Sequence, residues 1–478
     1  MTKEVVKRPN YAYEYDIVAH PVKELGLGVR HSQALLMFLC VLLAFSMRAM
    51  MSIAVVAMTS HTSASDDIKF YAWDKRVQNL VLSSFFLGYL ALQFPAGVLA
   101  TRLGGKLLLG SALGINGLLC LVVPWAVSLG EWKALLMVRL VQGLAQGCIF
   151  PTLNTLLGKW APLNERSRIT NLVYAGAPLG TVLAMPVSGY LSASTFGWPS
   201  LFYFFGILGT LISAFWFYYG SDSPNKHNSI SEEERKYIEN SLGKYEEKEE
   251  ATADAARKMV TPWRAIFTSV PLLAICVSHS GIVYGFLTLL LETPMYLKEV
   301  HGIDMKQSGL LTSLPYLAMW LVGCSSAFVA DLAVNKKIMS LSDVRKVSNT
   351  IANVCPAVSL VILCMIPPNQ TALAVVIIIT TVGLTGAINT GAVINHMDLS
   401  PNFAGIMFGM TNMVANTFGL IAPNVIGFIV TDSTDPSQWN LVFYIVAGVY
   451  FSTNLFYLIF GTAEKQSWDD PVYEDEEV

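Results

Sequence analysis

The sequence has little charge for its length. Asp, Glu, Lys and Arg make up 14% of the 478 residues, whereas 53% of the residues are hydrophobic. A soluble globular domain has about 25% charged residues, so this composition excludes an ordinary soluble enzyme. The net charge of −3 says little about partners. In a membrane protein it is the placement of Lys and Arg that sets the orientation.

Cysteine patterns and catalytic motifs are also lacking. The seven cysteines fall within or at the edges of apolar runs, so we expect neither a disulfide framework nor a metal site. The sequence has no H-E-x-x-H motif, no G-x-S-x-G motif in a usable setting and no paired carboxylates within its apolar runs. We therefore expect no enzyme activity and no cofactor. Residues 1–30 are too polar for a cleavable signal peptide.

Long apolar runs dominate the chain instead. A helix that spans a bilayer needs about 20 apolar residues, and twelve such runs can be placed with short polar connections. They cover 33–59, 77–101, 106–128, 132–157, 168–193, 199–220, 271–296, 308–334, 346–367, 371–395, 402–430 and 438–462. The predicted fold class is an all-α membrane protein whose twelve transmembrane helices form two six-helix bundles.

A charged segment divides the chain into halves. The predicted organisation is a tail at 1–31, a bundle at 32–220, a linker at 221–268, a second bundle at 269–462 and an acidic tail at 463–478. In both halves the fourth helix runs through a polar turn into a glycine-rich fifth helix. Such parallel repeats are typical of transporters that bind substrate between two bundles near the midplane.

The basic residues predict the orientation. With both termini in the cytoplasm, 23 Lys and Arg lie inside, 6 lie outside and 2 lie within helices, as the positive-inside rule requires. We expect the plasma membrane rather than a vesicular or lysosomal one. The one N-x-S/T sequence begins at Asn369 in a short outer loop, and the sequence does not decide whether it carries a glycan.

Two arginines lie inside predicted helices of the first half, Arg48 in the first and Arg139 in the fourth. A charge at such depth costs about 2.5–3.5 kcal/mol on insertion scales, and the helices of this half contain no Asp or Glu. Two cations without a counter-charge indicate a site that an anionic substrate completes through bidentate hydrogen bonds. The alternative is that each guanidinium group bonds backbone carbonyls of a neighbouring helix.

Two further polar residues are candidates for the same site. Tyr89 lies near mid-depth of the second helix, and Gln146 follows Arg139 by seven residues on nearly the same helix face. Either side chain could contact substrate or could join helices.

The second half offers candidates for coupling and gating. His279 and Glu292 lie in the seventh helix: Glu292 is either a solvated gating carboxylate or a cation-coupling group, and helix packing is favoured for His279. Asn389, Asn412 and Asn416 could supply oxygens to a sodium ion, although hydrogen bonds between helices are favoured for them.

Several longer segments carry a family resemblance. They are F-F-L-G-Y ending at Tyr89, R-L-V-Q-G-L-A-Q-G from Arg139, K-W-A-P-L-N-E-R-S-R from Lys159, S-L-P-Y-L from Ser313, I-N-H-M-D-L-S-P from Ile394 and T-A-E-K-Q-S-W from Thr462. With them, nearly the whole chain resembles the anion:cation symporter branch of the major facilitator superfamily. This branch includes type I sodium/phosphate cotransporters, sialic acid carriers and vesicular glutamate carriers. The resemblance implies an alternating-access carrier with Arg48 and Arg139 in its substrate cavity.

The chain departs from the family pattern at two positions. Proton-coupled members have a glutamate where this chain has Gln146, and this version is more similar to the sodium/phosphate members. The superfamily's aspartate in the turn after the second helix is replaced by Thr101, whereas Asp331 retains it in the second half. The resemblance therefore implies that the two halves are latched asymmetrically.

The predicted function is secondary transport of an anion, with inorganic phosphate and sodium as the first choice. The alternative is a proton- or potential-driven carrier of urate, an acidic sugar or an aromatic acid. A more distant alternative is a channel or a non-transporting receptor. The expected partners are the anion, Na+ or H+ as coupling cation and the lipid bilayer, with no nucleic acid. We expect a monomer, whose terminal valine would permit weak binding to a scaffold domain.

Overall fold

The structure, a computed structural model, describes residues 26–59, 69–73, 75–242, 261–302, 309–432 and 434–469. Most of the predicted N-terminal tail, the middle of the linker and the end of the acidic tail, including the terminal valine, lie outside the described residues. Throughout the described part the regular structure is helical, without β-strands.

The helices of each half follow one another with short connections. The first half contains α1 (Val29–Thr59), α2 (Lys75–Leu103), α3 (Gly105–Gly147), α4 (Ile149–Trp160), α5 (Arg166–Tyr174), α6 (Gly176–Ala193) and α7 (Pro199–Tyr219). The linker holds α8 (Glu232–Ser241) and α9 (Trp263–Phe267). The second half contains α10 (Val270–His301), α11 (Gly309–Asn335), α12 (Leu341–Cys364), α13 (Thr371–Leu384), α14 (Asn395–Leu399), α15 (Ala404–Ile429) and α16 (Pro436–Phe460).

Length and composition suit these helices to a bilayer. Within the described residues, 10 helical stretches are long and apolar enough to cross a membrane. The longest, Gly105–Trp160, has 56 residues, about twice what one crossing needs. The chain reverses within it at Glu131, whose φ of 48° and ψ of −138° are not helical. The predicted third and fourth helices therefore meet at this residue.

Three predicted helices are interrupted near their inner parts. The break between α3 and α4 lies at Cys148, and that between α5 and α6 lies at Ala175. Pro151 and Pro178 follow each break by three residues and cannot donate to the carbonyl four residues earlier, which favours a break there. The predicted tenth helix changes after α13 into a 3-10 segment, Thr385–Thr390. Hydropathy alone does not locate these breaks, although Pro178 in the fifth helix predicts a bend there.

Glycines bring the helices of the first half into close contact. A Cβ atom on Gly88 would lie 2.1 Å from the carbonyl oxygen of Leu140, and one on Gly143 would lie 2.0 Å from that of Phe85. These contacts join α2 to α3. Gly180 joins α6 to α1 in the same way, because its Cβ would lie 2.2 Å from the oxygen of Leu42. Small residues at such crossings are a known packing device of membrane helices.

The two halves pack against each other through α15 and α11. Helix α15 contacts α2 and α4, and α11 contacts α5 and α6. Gly405 of α15 lies so close to α4 that a Cβ there would be 2.6 Å from the Pro151 oxygen, and one on Gly409 would be 2.5 Å from the Gln93 oxygen of α2. We call the end of the molecule where α1 begins and α16 ends the base.

Linker helix α8 is docked on the base. The Glu234 carboxylate accepts hydrogen bonds from the backbone N–H groups of Val29 (2.9 Å) and Arg30 (3.1 Å) at the start of α1. It also accepts from the Arg30 side chain (3.0 Å), which pairs with Glu165 at 2.8 Å. The predicted first helix therefore begins earlier than residue 33, because Glu234 satisfies N–H groups that a helix start leaves unpaired.

An ion-pair cluster closes the base between the halves. The Asp398 carboxylate accepts from Arg166 of the first half at 2.9 Å and from Arg345 of the second half at 2.7 Å. Arg345 also donates to the Ser167 hydroxyl at 3.0 Å. Because these groups are buried, removing one partner would leave a buried charge without a counter-charge. Such a change costs about 3–5 kcal/mol in other proteins. We call Arg166, Arg345 and Asp398 the base cluster.

Asp331 adds a second contact between the halves. Its carboxylate accepts from the backbone N–H groups of Ser167 (3.1 Å) and Arg168 (2.9 Å), at the start of α5. Thr101, at the corresponding turn of the first half, donates to Gly97 of its own helix at 3.0 Å. The two turns therefore differ, since Asp331 bonds to the opposite half and the Thr101 hydroxyl bonds within α2.

The α2–α3 contact gives a stability prediction. Gly88→Ala should lower the free energy of unfolding by about 1–3 kcal/mol, because the added methyl group overpacks the contact with Leu140. Thermal unfolding in detergent micelles would show a lower midpoint. Gly448→Ala is the matched control, because nothing lies within 4 Å of a Cβ at that position. Equal midpoints for the two variants would contradict the packing shown by the structure.

Candidate functional site: a cationic centre in the first half

Arg48 of α1 is held among aromatic rings. Its guanidinium carbon lies 4.9–5.5 Å from four ring centroids, those of Phe45, Phe85, Phe86 and Tyr89. Cations at this distance are attracted to the negative faces of aromatic rings, by about 0.5–2 kcal/mol for each contact. The rings thus hold the guanidinium group in place without neutralising its charge.

Arg139 of α3 lies beside it and is more deeply buried. The side chain is 4% exposed, and its Nη1 donates to the Gln142 amide oxygen at 3.2 Å. Its Nε has no acceptor among the described residues. An unpaired buried donor costs about 1–3 kcal/mol, so Arg139 has bonding capacity that the described protein atoms leave unused.

Phe85 brings the two cations together. Its ring centroid is 5.3 Å from the guanidinium carbon of Arg48 and 4.4 Å from that of Arg139. The two charges are therefore less than about 10 Å apart. At an effective dielectric constant near 20, their repulsion is about 2 kcal/mol at that distance. An anion between them would turn this repulsion into attraction.

Neither cation has an ionic partner in the part of the chain that the structure describes. Acidic side chains at the base pair with Arg30, Arg166, Arg168 and Arg345. No described carboxylate lies within 4.0 Å of the Arg48 or Arg139 nitrogens. The centre thus has the charge and the free donors to bind an oxyanion.

Tyr89 and Gln146 lie near the two arginines but differ in their contacts. The Tyr89 ring is stacked on Phe85 with centroids 6.0 Å apart, and it contacts Arg48 as well. The Gln146 amide donates to the Ala44 carbonyl of α1 at 2.7 Å. Of the two predicted roles for Gln146, this geometry favours joining helices. Tyr89 stays a predicted substrate contact.

The ionisable coupling candidates of the second half, His279 and Glu292, both lie on α10. His279 of α10 is buried against Phe408 and His396, with centroid distances of 5.6 and 6.4 Å. Its Nδ1 has no partner among the described residues. Glu292, further along α10, is half-buried.

The predicted amide candidates are separated in the structure. Asn389 lies in the 3-10 segment and donates to Asn171 of the first half at 3.4 Å. Asn412 and Asn416 are one turn apart on α15, and the Asn416 amide donates to the Asn412 side chain at 3.0 Å. The Asn389 contact joins the two halves, whereas the Asn412–Asn416 contact lies within one helix and does not join two. Asp331 lies at the base and not at the cationic centre.

Aromatic side chains separate the cationic centre from the base. Phe150 of α4 contacts Phe45 of α1 at 5.7 Å, Tyr174 of α5 at 5.4 Å and Phe408 of α15 at 5.9 Å between centroids. Because Phe408 belongs to the second half, this group crosses the interface. It forms an apolar floor between the two arginines and the ion pairs below.

Sequence reasoning overlooked several of these residues. Phe85 precedes Tyr89 by four residues, and Gln142 follows Arg139 by three. Helical spacing therefore places Phe85 on the same helix face as Tyr89, and Gln142 on the same face as Arg139. Asp398 lay within a segment used for the family resemblance but received no role. Its pairing with Arg166 joins residues 232 positions apart, and no local pattern predicts such a contact.

Two packed halves of helices around a cationic centre define a membrane carrier. Residues 37–423 match the family described as Major Facilitator Superfamily. The proton:xylose symporter XylE, solved with 6-bromo-6-deoxy-D-glucose, has a similar fold with a TM-score of 0.67. It is 14% identical, and the match covers 91% of this chain and 97% of that one. At this identity the likeness shows the fold alone.

Relatives with greater identity narrow the class. A candidate inorganic phosphate cotransporter of Drosophila melanogaster is 40% identical, covering 94% of this chain and 88% of that protein. Human sialin is 35% identical over 92% of this chain and 91% of its own length. Human vesicular glutamate transporter 2 is 33% identical over 95% and 77%. The chain belongs to the major facilitator superfamily, in the anion-transporting branch of these relatives. It is a multi-pass membrane transporter and not an enzyme.

The shared contact at Phe85 generates a prediction. Phe85→Leu should raise the KM for the transported anion several-fold, because both guanidinium groups lose the ring that holds them. Phe86→Leu is the matched control, since of the two arginines its ring contacts Arg48 and not Arg139 among the described contacts. The KM of each variant is obtained from initial rates of uptake into proteoliposomes. A larger effect at Phe86 than at Phe85 would contradict this role.

Proposed function

We propose that the protein is a secondary active transporter for a small oxyanion, with inorganic phosphate coupled to sodium as the first candidate. The supporting observation is the pair Arg48 and Arg139, held on the ring of Phe85 and without a carboxylate among the described residues. A tetrahedral oxyanion has enough oxygens to accept hydrogen bonds from both groups at once. The name of the Drosophila relative supports the same choice of substrate.

The mechanism follows from which end of the molecule is closed. The ion pairs and the floor around Phe150 join the halves on the base side of the cationic centre. We propose that the base faces the cytoplasm of a plasma membrane, in keeping with the positive-inside rule. The anion then enters from the opposite side and neutralises the arginines. Loss of their repulsion favours closure around it, and the base opens as the halves rock.

Sodium coupling is supported by the contacts of Gln146. Its side chain cannot release a proton, and its amide is bonded to Ala44 of α1, so a protonation route through this position is missing. Glu292 and the amide oxygens of Asn389 and Asn412 stay the candidate groups for the cation. Carboxylate and amide oxygens are the ligands that hard cations prefer.

An organic anion is the second candidate. The rings of Phe45, Phe85, Phe86 and Tyr89 surround Arg48, and such rings can pack on the apolar part of an organic acid. Relatives named for glutamate and as sialin also fit this class. In this case the carrier is driven by protons or by the membrane potential.

Uptake into proteoliposomes tests the proposal. Phosphate, glutamate, sialic acid and urate are supplied as labelled substrates, with sodium, pH and electrical gradients imposed separately. We expect saturable phosphate uptake driven by the sodium gradient. Phosphate uptake without a sodium requirement would refute the coupling. Uptake of organic acids that unlabelled phosphate does not inhibit would favour the second candidate, and flux without saturation would indicate a channel.

The same assay tests the two arginines. Arg48→Gln and Arg139→Gln should each reduce uptake at least about tenfold, because each change removes charge-assisted hydrogen bonds of about 1.5–3 kcal/mol. Arg102→Gln, at the exposed end of α2, is the control and should keep wild-type uptake. Unchanged uptake in either of the first two variants would remove the basis for an anion site here.

A further inference from the structure

One face of α5 carries polar groups from the base toward the cationic centre. Arg166, Thr170 and Tyr174 follow one another at intervals of four residues, so they lie along one side of the helix. All three are buried, with 1%, 0% and 4% of their surfaces exposed. A row of buried polar groups is costly in a membrane protein unless the groups are paired or functional.

The hydrogen bonds of Arg166 use one side of its guanidinium group. Nη1 donates to the Met397 carbonyl at 3.1 Å and to the Asp398 carboxylate at 2.9 Å. Nε and Nη2 are buried and have no acceptor among the described residues. These two nitrogens form the edge of an arginine that binds carboxylate or phosphate through two parallel hydrogen bonds. Arg166 thus has an unused bidentate edge.

The charges around Arg166 favour an anion at this edge. The base cluster contains two guanidinium groups and one carboxylate, which leaves an excess positive charge. A further carboxylate at the base, Asp331, is engaged by Arg168 and by the start of α5. A buried excess charge is stabilised more by an opposite charge than by a neutral water molecule.

Further unpaired groups continue from Arg166 toward the centre. The Thr170 hydroxyl and the Asn154 side-chain oxygen are buried, and neither has a partner in the described part of the chain. The Asn154 amide donates to the Tyr174 hydroxyl at 2.6 Å, and the Tyr174 ring contacts Phe150 of the floor. The row of buried polar groups therefore ends next to the cationic centre, since Phe150 also contacts Phe45.

We propose that Arg166, with Thr170, forms a second oxyanion site on the base side of the transport path, occupied when the base opens. This inference rests on the proposed function, because the ligand is the transported anion or another small oxyanion on the base side. Arg166 exchanges the carboxylate of Asp398 for the anion as the halves separate. Thr170 donates a hydroxyl hydrogen bond to it.

The position of Asp398 in the second half explains this exchange. Asp398 and Arg345 both belong to the second half, and the Arg345 Nε bonds the carboxylate at 2.7 Å. When the halves separate, Asp398 keeps this partner and moves away with it. Arg166 stays with the first half and loses its counter-charge. An anion leaving the centre, or entering from the base side, then restores neutrality.

Sided transport measurements separate this site from the cationic centre. Proteoliposomes of known orientation are loaded with inorganic phosphate, and the KM for phosphate is measured on the base side and on the opposite side. Three variants are compared. Arg166→Gln removes the proposed site, Asp398→Asn frees Arg166 from its carboxylate, and Arg168→Gln breaks a neighbouring ion pair between the halves while leaving Arg166 intact.

Arg166→Gln and Asp398→Asn are expected to change the base-side KM for phosphate in opposite directions. Arg166→Gln should raise the base-side KM about tenfold through the loss of charge-assisted hydrogen bonds. Asp398→Asn should lower that KM several-fold, and adding Arg166→Gln to it should abolish the gain. Arg168→Gln should change the base-side KM far less than Arg166→Gln does. If Arg166→Gln and Arg168→Gln act alike, or if Asp398→Asn raises the base-side KM, the site does not exist and Arg166 serves only as a latch.

A binding measurement covers variants that fold poorly or transport slowly. Thermal unfolding in micelles is recorded with phosphate, glutamate or sialic acid for the Asp398→Asn protein and for its double variant with Arg166→Gln. The site is supported if one of these anions stabilises the Asp398→Asn protein and if its apparent affinity is about tenfold lower for the double variant. Equal stabilisation refutes it. Failure of the proposed function is distinct, since the wild-type protein would then transport none of the anions.

Discussion

The constraint on which the molecule depends is a pair of guanidinium groups, one buried and one partly buried, that have no carboxylate partner among the described residues. Arg48 and Arg139 contact the same phenyl ring, and the described protein supplies no carboxylate to either. Aromatic faces and the Gln142 amide stabilise these charges in part, and their mutual repulsion persists. In the proposed function, a bound anion rather than a side chain completes the electrostatics of this centre.

At the base, by contrast, the arginines are paired with carboxylates. There Asp398 and Asp331 pair with arginines, and these contacts run from one half to the other. The carboxylates favour the closed base, whereas the cationic centre has no carboxylate among the described residues. Close glycine contacts, such as that of Gly405 with Pro151, also join the two halves. In the proposed mechanism, alternating access exchanges one set of charge partners for another.

Much of the fold and part of the site could be predicted from the sequence. Apolar runs of about 20 residues identify spanning helices, and Arg48 and Arg139 stand out because charge is rare inside such runs. The breaks at Cys148 and Ala175 could not be placed this way, because hydropathy does not register a lost backbone hydrogen bond. Proline at 151 and 178 was the available signal.

The sequence by itself determined that the chain crosses a membrane many times, that two arginines lie deep inside the apolar runs of its first half, and that it is related to anion carriers. These properties depend on composition and local spacing. The tertiary structure alone decided that Phe85 joins the two cations, that Gln146 is bonded to α1 and that Arg166 meets Asp398. Such contacts depend on how distant helices cross, and the energy that selects the crossing is shared among many residues far apart in the chain.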